Sequence, residues 1–545
     1  MKPLYLSLIF FTCVLSPSHA QIVDSTFGEP YSFSPGQYFY GVTASDFSDR
    51  KDKAYSMLFL DDGKIIMAGH TAGEEESDFA FTRLLANGQY DQDFGPDGKI
   101  QLDLGLQRDS CLAAVRYGSD QMLMGGSAEQ AGEAGFSALL IKTDFDGQLI
   151  SSFGEEGKLF LDLPGQHEMI TRLHPLPDGK IMVAGNVYFG PSYLYPDSTS
   201  IFVGRLFEDG SVDESFGNNG FVYKSRYGCP SSILGDLVFY PDGAFLLTAE
   251  TYFPYPGSLD PIGACEPTIY VSRFLPDGAL DTTFGEAGTT DVTTTAGWAK
   301  ALGIYEDGKI VVAGLISDGL TMPIYTTVAR LLPDGTLDST FANDGVFREF
   351  IHAGDIDPAN PVDLVVRGDE VLVGFSATLS FGVLCLNSEG QRNTNFGGDG
   401  VFTYHNIYGW GTNKINQIQL SADQQSLYFT GSYKYQSDML ICKLNISDNM
   451  VAVDADLYNI QVAQLYPNPL TAGEVLHIEL PGLSETSGDL LLQVYDSRGS
   501  LVMHQKTDAY ALAAGLSLPV RSQGVYFVEV SNEEGRYFGK VLVLD

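Results

Sequence analysis

Few residues of this 545-residue chain stand at the spacing that catalysis or metal binding requires. The eight histidines include no His-Glu-x-x-His pair and no other pair at a metal-ligand spacing. His167, His352 and His405 each follow a recurring phenylalanine, but at three different distances, so they are not equivalent positions. A Gly-x-Ser-x-Gly turn, a phosphate-binding loop and a dinucleotide fingerprint are absent from the sequence. The sequence therefore predicts no catalytic residue, no metal site and no cofactor.

Carboxylates are the most abundant reactive groups, with 69 acidic residues in the chain. The segment Lys142–Leu149 places two aspartates near a glycine but lacks the third Asp and the distal Glu of a calcium-binding loop, which favours a plain turn. Carboxylate pairs that could cleave a glycosidic bond remain an open class in so acidic a chain, and the sequence singles out none of them. The Arg-Gly-Asp at Arg367–Asp369 stands where other repeats have a hairpin turn, which favours a conformational role over cell adhesion.

Aromatic residues in the long connecting segments are the best candidates for binding a ligand. Exposed aromatic rings suit stacking on sugars or contact with another protein, although long loops also use them to pack on themselves. Two cysteines of the same segments, Cys229 and Cys265, could form a disulfide, whereas Cys385 and Cys442 lie inside apolar runs and are expected to be buried. The candidate ligand-binding residues are Trp298, Trp410, Tyr188, Tyr193, Tyr252 and Tyr255.

Charge and the N-terminal sequence narrow the partners and the location. The chain has 31 basic and 69 acidic residues, a formal charge of −38, which argues against binding to nucleic acid or to an anionic membrane surface. Lys2, the apolar run Leu4–Leu15 and the small residues after it are typical of a signal peptide over residues 1–20, cleaved between Ala20 and Gln21. Because no later apolar segment is long enough to span a bilayer, we expect no transmembrane segment.

A repeat organises most of the chain and must position these residues. Each copy holds two apolar runs around a hairpin turn such as Asp-Gly, then a third apolar run, an Asp-x-x-Phe-Gly phrase and a short fourth run. This pattern is typical of four antiparallel strands. The phrase recurs every 55 to 68 residues, with its phenylalanine at Phe27, Phe94, Phe153, Phe216, Phe284, Phe341 and Phe396.

The copies of the repeat do not begin and end together. Seven hairpin turns and seven third strands can be counted, but the last third strand, Asp438–Ser447, is followed by no phrase and no fourth strand. The missing piece stands near the start of the chain, in Asp24–Phe33. Closing a ring of four-stranded blades with it removes the free edges of the ring. The sequence therefore predicts an all-β fold, a seven-bladed β-propeller over residues 21–453 closed by the N-terminal strand.

Antiparallel strands also sort the connections between them. The hairpin turns and the phrases share one face of the predicted propeller, and the longer connections with the candidate aromatic residues share the opposite face. A basic residue recurs at one position of the third strand, where we expect a salt bridge within or between blades. These residues are Arg83, Lys142, Arg205, Arg273, Arg330 and Lys443, with Cys385 in the remaining copy.

The phrases are similar to the delta-60 repeats, a β-propeller-like repeat of secreted and surface proteins in bacteria. The form Arg-Leu-x-Pro-Asp-Gly-x-Leu-Asp-x-x-Phe-Gly is nearly complete at Arg273–Gly285. The resemblance covers about four fifths of the chain and implies a scaffold. It implies no activity, because a fold does not determine a function.

A different pattern follows residue 464. Short alternating apolar runs predict a small antiparallel β-sandwich over residues 465–545, preceded by a linker over 454–464. The order of its motifs resembles the C-terminal sorting domain of the type IX secretion system of Bacteroidetes. That resemblance implies the type IX machinery as a partner, and export through the periplasm to the outer-membrane surface or the medium. The residues that carry it are Tyr466, Pro467, Asn468, Pro469, Gly524, Tyr526 and Lys540.

Together these features favour an exported, non-catalytic propeller that binds glycan or protein through its long-connection face. A structural or adhesin-like surface component without a discrete ligand is the second hypothesis, and an extracellular polysaccharide hydrolase or lyase is the third. A metal or clustered carboxylates at the mouth of the central channel would favour the enzyme. An exposed aromatic cluster would favour the binding protein, and a face packed on itself the structural component.

Overall fold

The computed structural model divides the chain into two compact units, Met1–Val453 and Asp454–Asp545, each with apolar cores of its own. The residues that the structure describes are 22–28, 31–34, 37–39, 41–47, 50–73, 76–130, 135–190, 198–225, 231–251, 268–293, 297–317, 324–351, 359–377, 380–405, 414–433, 438–446, 460–468, 470–471, 474–480, 490–496, 501–518, 523–532 and 535–544. The predicted cleavage site between Ala20 and Gln21 lies outside them.

The first unit is built almost entirely of antiparallel sheets. Four short strands come first, and these are β1 (Ile22–Val23), β2 (Tyr31–Ser34), β3 (Gln37–Phe39) and β4 (Val42–Ser45). Six four-stranded sheets follow, each pairing its strands in chain order, so the four-strand repeat is confirmed. Their strands are β5 to β8 (Lys51–Phe59, Ile65–Ala72, Ser77–Leu84, Lys99–Leu102), β9 to β12 (Asp109–Tyr117, Gln121–Ala128, Ser137–Asp144, Lys158–Phe160), β13 to β16 (His167–Pro175, Ile181–Phe189, Ser198–Leu206, Phe221–Lys224), β17 to β20 (Ser232–Phe239, Phe245–Thr251, Ile269–Phe274, Thr289–Asp291), β21 to β24 (Gly297–Ile304, Ile310–Ser317, Ile324–Leu331, Val346–Glu349) and β25 to β28 (Asn360–Arg367, Glu370–Ser376, Ser380–Leu386, Val401–His405).

The last sheet of this unit combines strands from both ends of the repeat region. Its first three strands are β29 (Lys414–Leu420), β30 (Ser426–Tyr433) and β31 (Asp438–Asn445). Both β1 and β4 pair antiparallel with the outer edge of β31, with Ile22 opposite Asn445 and Ser45 opposite Met439. N-terminal strands therefore stand in the position of the fourth strand, while β2 and β3 pair only with each other.

The hairpin turn between the first and second strands has a local cause where an Asp-Gly pair occupies it. At Asp307–Gly308 the aspartate Oδ1 accepts a hydrogen bond from the Lys309 backbone N–H at 3.1 Å, and Gly308 adopts a φ of 83°. That conformation is unfavourable for any residue with a Cβ. The Asp-Gly pair therefore fixes the turn by its own chemistry.

The Phe-Gly phrase joins each sheet to the next one. Phe284 is buried in an apolar cluster that contains residues of both β19 and β22, so its ring packs between two sheets. The following Gly285 donates its backbone N–H to the Asp334 carbonyl of the next sheet at 2.7 Å. A Cβ at Gly285 would lie 2.6 Å from the Thr289 carbonyl oxygen, which is closer than normal van der Waals contact. The other six motif phenylalanines are also at most 1% exposed.

The recurring basic residue forms the expected salt bridge in most copies. Arg273 donates from Nε to Asp281 at 2.7 Å and from Nη1 to the Pro333 carbonyl of the next sheet at 2.6 Å. Its guanidinium also lies 4.9 Å from the centre of the Phe284 ring. One side chain thus ties together its own strand, its own phrase and the neighbouring sheet. The same contacts recur at Arg83, Arg205 and Arg330.

Three copies depart from this arrangement, and one of them has the buried Cys385 in place of the basic residue. Lys443 of β31 pairs at 2.8 Å with Asp24, the aspartate of the N-terminal phrase, so that bridge joins distant parts of the chain. Lys142 finds Ile150 in the position where the other copies have aspartate, and its nearest acidic partner is Glu208 at 3.9 Å. A groove of about 530 Å³ opens at this position, lined by charged side chains such as Lys142, Asp178 and Lys180.

The first strand of every sheet carries a β-bulge at the same point, which the sequence did not predict. The extra residues are Tyr55, Leu112, Thr171, Gly235, Lys300, Val362 and Asn416. The residue after the bulge reaches the next first strand in several copies. Ser56 accepts from the Ala114 N–H at 2.9 Å, and Gln417 accepts from the Met57 N–H at 2.7 Å.

The second unit has two sheets and an apolar core. Two strands, β32 and β34, run parallel to β40, which differs from the predicted all-antiparallel arrangement. Among the described residues there is no helix long and apolar enough to cross a membrane. The strands are β32 (Ile460–Val462), β33 (Gln464–Tyr466), β34 (Leu470–Thr471), β35 (Val475–Glu479), β36 (Leu490–Asp496), β37 (Leu501–Thr507), β38 (Leu516–Ser517), β39 (Gly524–Asn532) and β40 (Gly535–Leu544), with one helix α1 (Ala509–Ala514).

Candidate functional site at the loop end

The two ends of the sheets in the first unit differ in their connections. Because neighbouring strands are antiparallel, the first-to-second and third-to-fourth connections share one end of each sheet, which we call the turn end. The second-to-third and fourth-to-first connections share the opposite end, which we call the loop end. The longest connections lie there, including the segment between β18 and β19. Variable connections on a rigid scaffold are where binding residues usually lie.

Two of the six candidate ligand-binding residues lie in described strands at the loop end. Tyr188 is near the end of β14 and Trp298 is near the start of β21, and both side chains are half-buried. Neither ring is fully exposed as a sugar-stacking platform would be. The other candidates, and the two cysteines expected to pair, lie outside the described residues: Tyr193, Tyr252, Tyr255, Trp410, Cys229 and Cys265.

A buried acidic residue, Glu250, lies close to one of these aromatic residues. Glu250 is the last but one residue of β18, is 6% exposed, and influences the ionisation of Tyr188. Burial, with the charge of Glu250, raises the pKa of the Tyr188 hydroxyl to about 12. Burial raises the pKa of the Glu250 carboxyl to about 7, although the Lys300 ammonium, 3.8 Å from Oε2, opposes that shift. Oε2 itself accepts no hydrogen bond from any described residue.

The group of Tyr188, Glu250 and Lys300 brings three neighbouring sheets together at the loop end. Trp298 stands two residues before Lys300 on the same strand, β21. A carboxyl with a pKa near 7 can accept or donate a hydrogen bond at neutral pH, and the lysine adds a positive charge beside it. A titratable group so perturbed is typical of functional sites, and aromatic surroundings suit a hydroxylated or polar ligand. We call this group the loop-end cluster.

Sequence reasoning missed Glu250 and Lys300, although a signal for Glu250 exists. When the second strands are aligned on the residue opposite the first-strand bulge, Glu250 falls at the same position as His70, Asn186 and Ser376. In three copies the side chain at this position reaches the next first strand, as Asn186 does with the Ser232 carbonyl at 3.1 Å. The other copies have a histidine or an uncharged residue at this position, so only the sheet with Glu250 carries an acidic residue there. Lys300 is the bulge residue of β21, and the bulge itself was not predicted.

Two carboxylates on first strands, Asp236 of β17 and Asp363 of β25, already accept hydrogen bonds with both of their oxygens. Asp236 accepts from Arg172 Nε at 2.7 Å and from the Leu302 N–H at 3.0 Å. Asp363 accepts from the Ile418 N–H at 2.9 Å, and burial together with the charge of Asp236 raises its pKa to about 7. These oxygens connect neighbouring first strands and leave no free carboxylate pair for glycosidic cleavage at this point.

Of the three histidines considered in the sequence, the two that the structure describes lie in different sheets. His167 begins β13, is 8% exposed and lies in a strand rather than in a loop. His405 ends β28, and His352 lies outside the described residues. His70, which the sequence did not single out, is buried; burial and the nearby Lys53 lower its pKa to about 4.

The two short motifs that favoured turns do occupy turns. Asp144 Oδ1 accepts from the backbone N–H groups of Asp146 and Gln148, which closes the turn in Lys142–Leu149. In the Arg-Gly-Asp sequence Gly368 adopts a φ of 57°. Arg367 pairs with Glu370 and donates to the Ile446 carbonyl at 2.8 Å, so its guanidinium is held against the protein.

The residues carrying the sorting-domain resemblance lie in the second unit. Tyr466 ends β33, is 42% exposed and stacks on His477 with ring centres 5.3 Å apart. Pro467 and Asn468 are exposed, whereas Pro469 lies outside the described residues. Gly524 begins β39, Tyr526 is buried in the core, and the Lys540 backbone pairs with Phe527.

Two family models match this chain. Residues 464–544 match the secretion system C-terminal sorting domain, and residues 60–94, 176–216, 266–284 and 306–341 match the DUF5122 beta-propeller, a domain of unknown function. The chain is a β-propeller protein with a C-terminal sorting domain. The sorting domain implies interaction of this propeller protein with the type IX secretion machinery, and export to the cell surface or the extracellular space.

Solved structures similar to the propeller protein are distant. The polysaccharide lyase Uly1 is 10% identical with a TM-score of 0.44, over 79% of this chain and 98% of that one. A protein of unknown function from Dyadobacter fermentans DSM 18053 is 12% identical with a TM-score of 0.39, over 75% and 100%. The α-L-arabinofuranosidase Arb93A from Fusarium graminearum is 10% identical with a TM-score of 0.38, over 63% and 94%. At such TM-scores these similarities say nothing about activity, and no curated protein matches the chain.

Proposed function

We propose that the first unit is a seven-bladed propeller closed by its N-terminal strands. The pairing of β1 and β4 with β31 supports closure, as does the Lys443–Asp24 salt bridge. An apolar cluster also joins the last sheet to the first one, with Met439 packed among residues that include Met57. The matching contact on the first strands is the hydrogen bond from the Met57 N–H to Gln417.

We further propose the segment limits expected from the sequence. Residues 1–20 form a signal peptide, 21–453 the propeller of delta-60-like repeats, 454–464 a linker and 465–545 the sorting domain of a Bacteroidetes-type protein. Cys229 and Cys265 form a disulfide at the loop end. The intact mass of the secreted protein tests the signal peptide and the disulfide, because cleavage after Ala20 and disulfide formation change the mass by known amounts.

We propose that the exported propeller is a recognition module that binds glycan or protein at its loop end. The observation that carries this proposal is the loop-end cluster, where the buried Glu250 lies beside Tyr188 and Lys300 and close along the strand to Trp298. A charged group kept in an apolar setting costs stability, so it indicates a role other than packing. The candidate residues Trp410, Tyr193, Tyr252 and Tyr255 stand in connections at the same end.

A polysaccharide hydrolase or lyase is the second candidate function, and Glu250 is the observation that favours it. A carboxyl with a pKa of about 7 has the proton affinity of a general acid or base at neutral pH. A structural surface component without a discrete ligand is the remaining alternative.

The test is a glycan-array and polysaccharide pull-down screen on the secreted full-length protein. Three variants accompany it: Trp298→Ala/Trp410→Ala, Glu250→Gln, and Phe207→Ala as a control at the turn end, where that side chain is 42% exposed. Binding that the first two variants lose and the control keeps is the expected result. Shortened polysaccharide that disappears with Glu250→Gln would replace recognition by catalysis, and no binding by the folded wild type would favour the structural role.

A further inference from the structure

Three lysines at the loop end have no acidic partner. Lys51 and Lys53 are the first and third residues of β5, and Lys414 is the first residue of β29. None of the three makes an ion pair, a side-chain hydrogen bond or a ring contact with any described residue. Every other lysine and arginine that the structure describes in the first unit makes at least one such contact. Because acidic residues outnumber basic ones by 69 to 31, a shortage of acids does not explain the missing partners.

The two strands that carry these lysines lie side by side. Asn416 of β29 donates from Nδ2 to the Ala54 carbonyl of β5 at 2.8 Å, which fixes one strand against the other. Lys53 and Lys414 each stand two residues before the bulge of their own strand, so they occupy equivalent positions in neighbouring sheets. Two equivalent side chains on adjacent first strands therefore bring positive charge to one place at the loop end.

The positive charges of this group are not balanced by the protein. Burial, together with the charges of Lys414 and Lys51, lowers the pKa of the Lys53 ammonium. Lys443 shows the contrast: burial also acts against its charge, but Asp24 lies 2.8 Å away and raises its pKa. Like charges held together without a counter-ion reduce the stability of the folded state, so they indicate a role other than packing.

The acidic residue nearest in sequence does not serve this group. Asp52 stands between Lys51 and Lys53, and successive residues of a strand point to opposite faces of the sheet. Asp52 is fully buried, accepts from the Phe47 N–H at 2.7 Å, and burial raises its pKa to about 6. The residue directly opposite Lys53 on β6 is His70, a buried imidazole without negative charge. The lysine charges are therefore available to an anion from outside the protein.

The repeat places an aromatic side chain at the same position of another sheet. Trp298 stands two residues before the bulge of β21, as Lys53 and Lys414 do in their own strands. The half-buried indole offers an apolar edge to a sugar ring, while an ammonium group pairs with a carboxylate or sulfate. Aromatic and basic side chains at equivalent positions favour a charged sugar over an acidic peptide as the ligand.

We propose that Lys51, Lys53 and Lys414 bind the anionic groups, carboxylate or sulfate, of an acidic polysaccharide. This inference rests on the proposed recognition of a ligand at the loop end, and it names the class of that ligand. A polymer that repeats its charges can pair with lysines of both sheets at once. The formal charge of −38 repels such a polymer from the rest of the surface, so binding is directed to the place where basic residues are unpaired.

The test measures binding of the full-length secreted protein to polygalacturonate, dextran sulfate, neutral dextran and polyglutamate. We expect saturable binding of at least one of the first two polymers, and weaker binding in about 500 mM than in about 50 mM NaCl, because salt screens exposed charges. A preference between those two polymers identifies the anionic group as carboxylate or sulfate. Neutral dextran and polyglutamate should not bind comparably.

Lys51→Gln/Lys414→Gln should weaken binding of the acidic polysaccharide about five- to thirtyfold, because two ion pairs with the ligand are lost. Both lysines are exposed, so the substitutions leave the core intact. The matched control is Lys158→Gln/Lys309→Gln, which removes the same charge at the turn end from lysines that already have protein acceptors. It should bind like the wild type, and equal losses in the two double variants overturn the proposal, because they would assign binding to net charge alone.

The remaining outcomes separate this inference from the proposed function. Binding of neutral glycans only would overturn the anionic class and leave recognition at the loop end in place. Binding of polyglutamate alone would replace the polysaccharide by an acidic peptide, and binding of none of the polymers overturns the inference. Acidic-polysaccharide binding that Lys51→Gln/Lys414→Gln loses but Glu250→Gln keeps would support the lysine site and contradict the role of the loop-end cluster.

Discussion

Single residues in this protein divide into those whose role the repeat reveals and those that only the fold brings together. The Arg273–Asp281 pair could be predicted because both residues recur at one spacing in several copies. Glu250 could not be selected from the sequence, because it is one of 69 acidic residues and its partners Lys300 and Tyr188 lie in other sheets. Pairing within a copy is visible in the sequence, whereas pairing between copies depends on register.

Glu250→Gln should alter how stability depends on pH. The folded-state pKa of about 7 is above that of an unfolded glutamate, so the folded state holds the proton more tightly. The contribution of Glu250 to the free energy of unfolding of the wild type is therefore fully present below about pH 4. Up to about 3 kcal/mol of it is lost as the pH rises towards 8. In the Glu250→Gln variant the free energy of unfolding should fall less between pH 5 and pH 8 than in the wild type, as measured by urea unfolding.

The exposed Glu306→Gln is the control for this substitution and should keep the wild-type fall in stability between the two pH values. Asp109 and Asp363 also have pKa values raised to about 7 and remain in both variants, so only the difference between variants is informative. Equal pH dependence of Glu250→Gln and the wild type would contradict the assigned pKa.

At the scale of elements, the turn that carries the Phe-Gly phrase connects sheets as well as strands. The sequence predicted four strands per copy and the turn residues between them, because hairpin chemistry is local. It did not predict the bulge in each first strand, since residues as different as Gly235, Lys300 and Tyr55 occupy it. The signature of the bulge lies instead on the second strand, where five of the seven copies have a glycine whose Cβ would collide with a first-strand carbonyl oxygen.

Gly285→Ala should destabilise the propeller by about 2 kcal/mol or more. The left-handed φ of 53° costs about 1 kcal/mol for alanine, and the new Cβ would also lie 2.6 Å from the Thr289 carbonyl oxygen. Gly63→Ala is the matched control, because its φ is also positive but its Cβ would meet only Ala86 Cβ, at 3.5 Å. Thermal and urea unfolding should therefore show a larger loss at position 285, and equal losses would mean that the close approach of Gly285 to the β20 backbone contributes nothing.

At the scale of the whole molecule, folding and export are assigned to different units. Each unit has its own apolar core. The core that contains Leu492 and Val528 is built from residues of the second unit. Two patterns of different period made this division predictable from the sequence. The ligand of the loop end was not predictable in the same way, because most of the candidate aromatic residues lie in connections that follow no repeat.

Deleting residues 465–545 should trap a folded propeller in the periplasm. The sorting domain is the part that the type IX machinery recognises, and its removal leaves the propeller cores intact. Fractionation with immunoblotting should find the truncated protein in the periplasm, whereas full-length protein and full-length Trp298→Ala reach the surface or the medium. Equal amounts of truncated and full-length protein outside the cell would show that export does not need this domain.

The sheet that contains β31 also sets an order of events in time. Its outer position is filled by β1 and β4, which are separated from the other three strands, β29 to β31, by almost the entire propeller sequence. Joining them requires closure of a very long loop, which is slow and entropically costly. The N-terminal strands therefore cannot pair until β31 is present, so this sheet is completed late in folding.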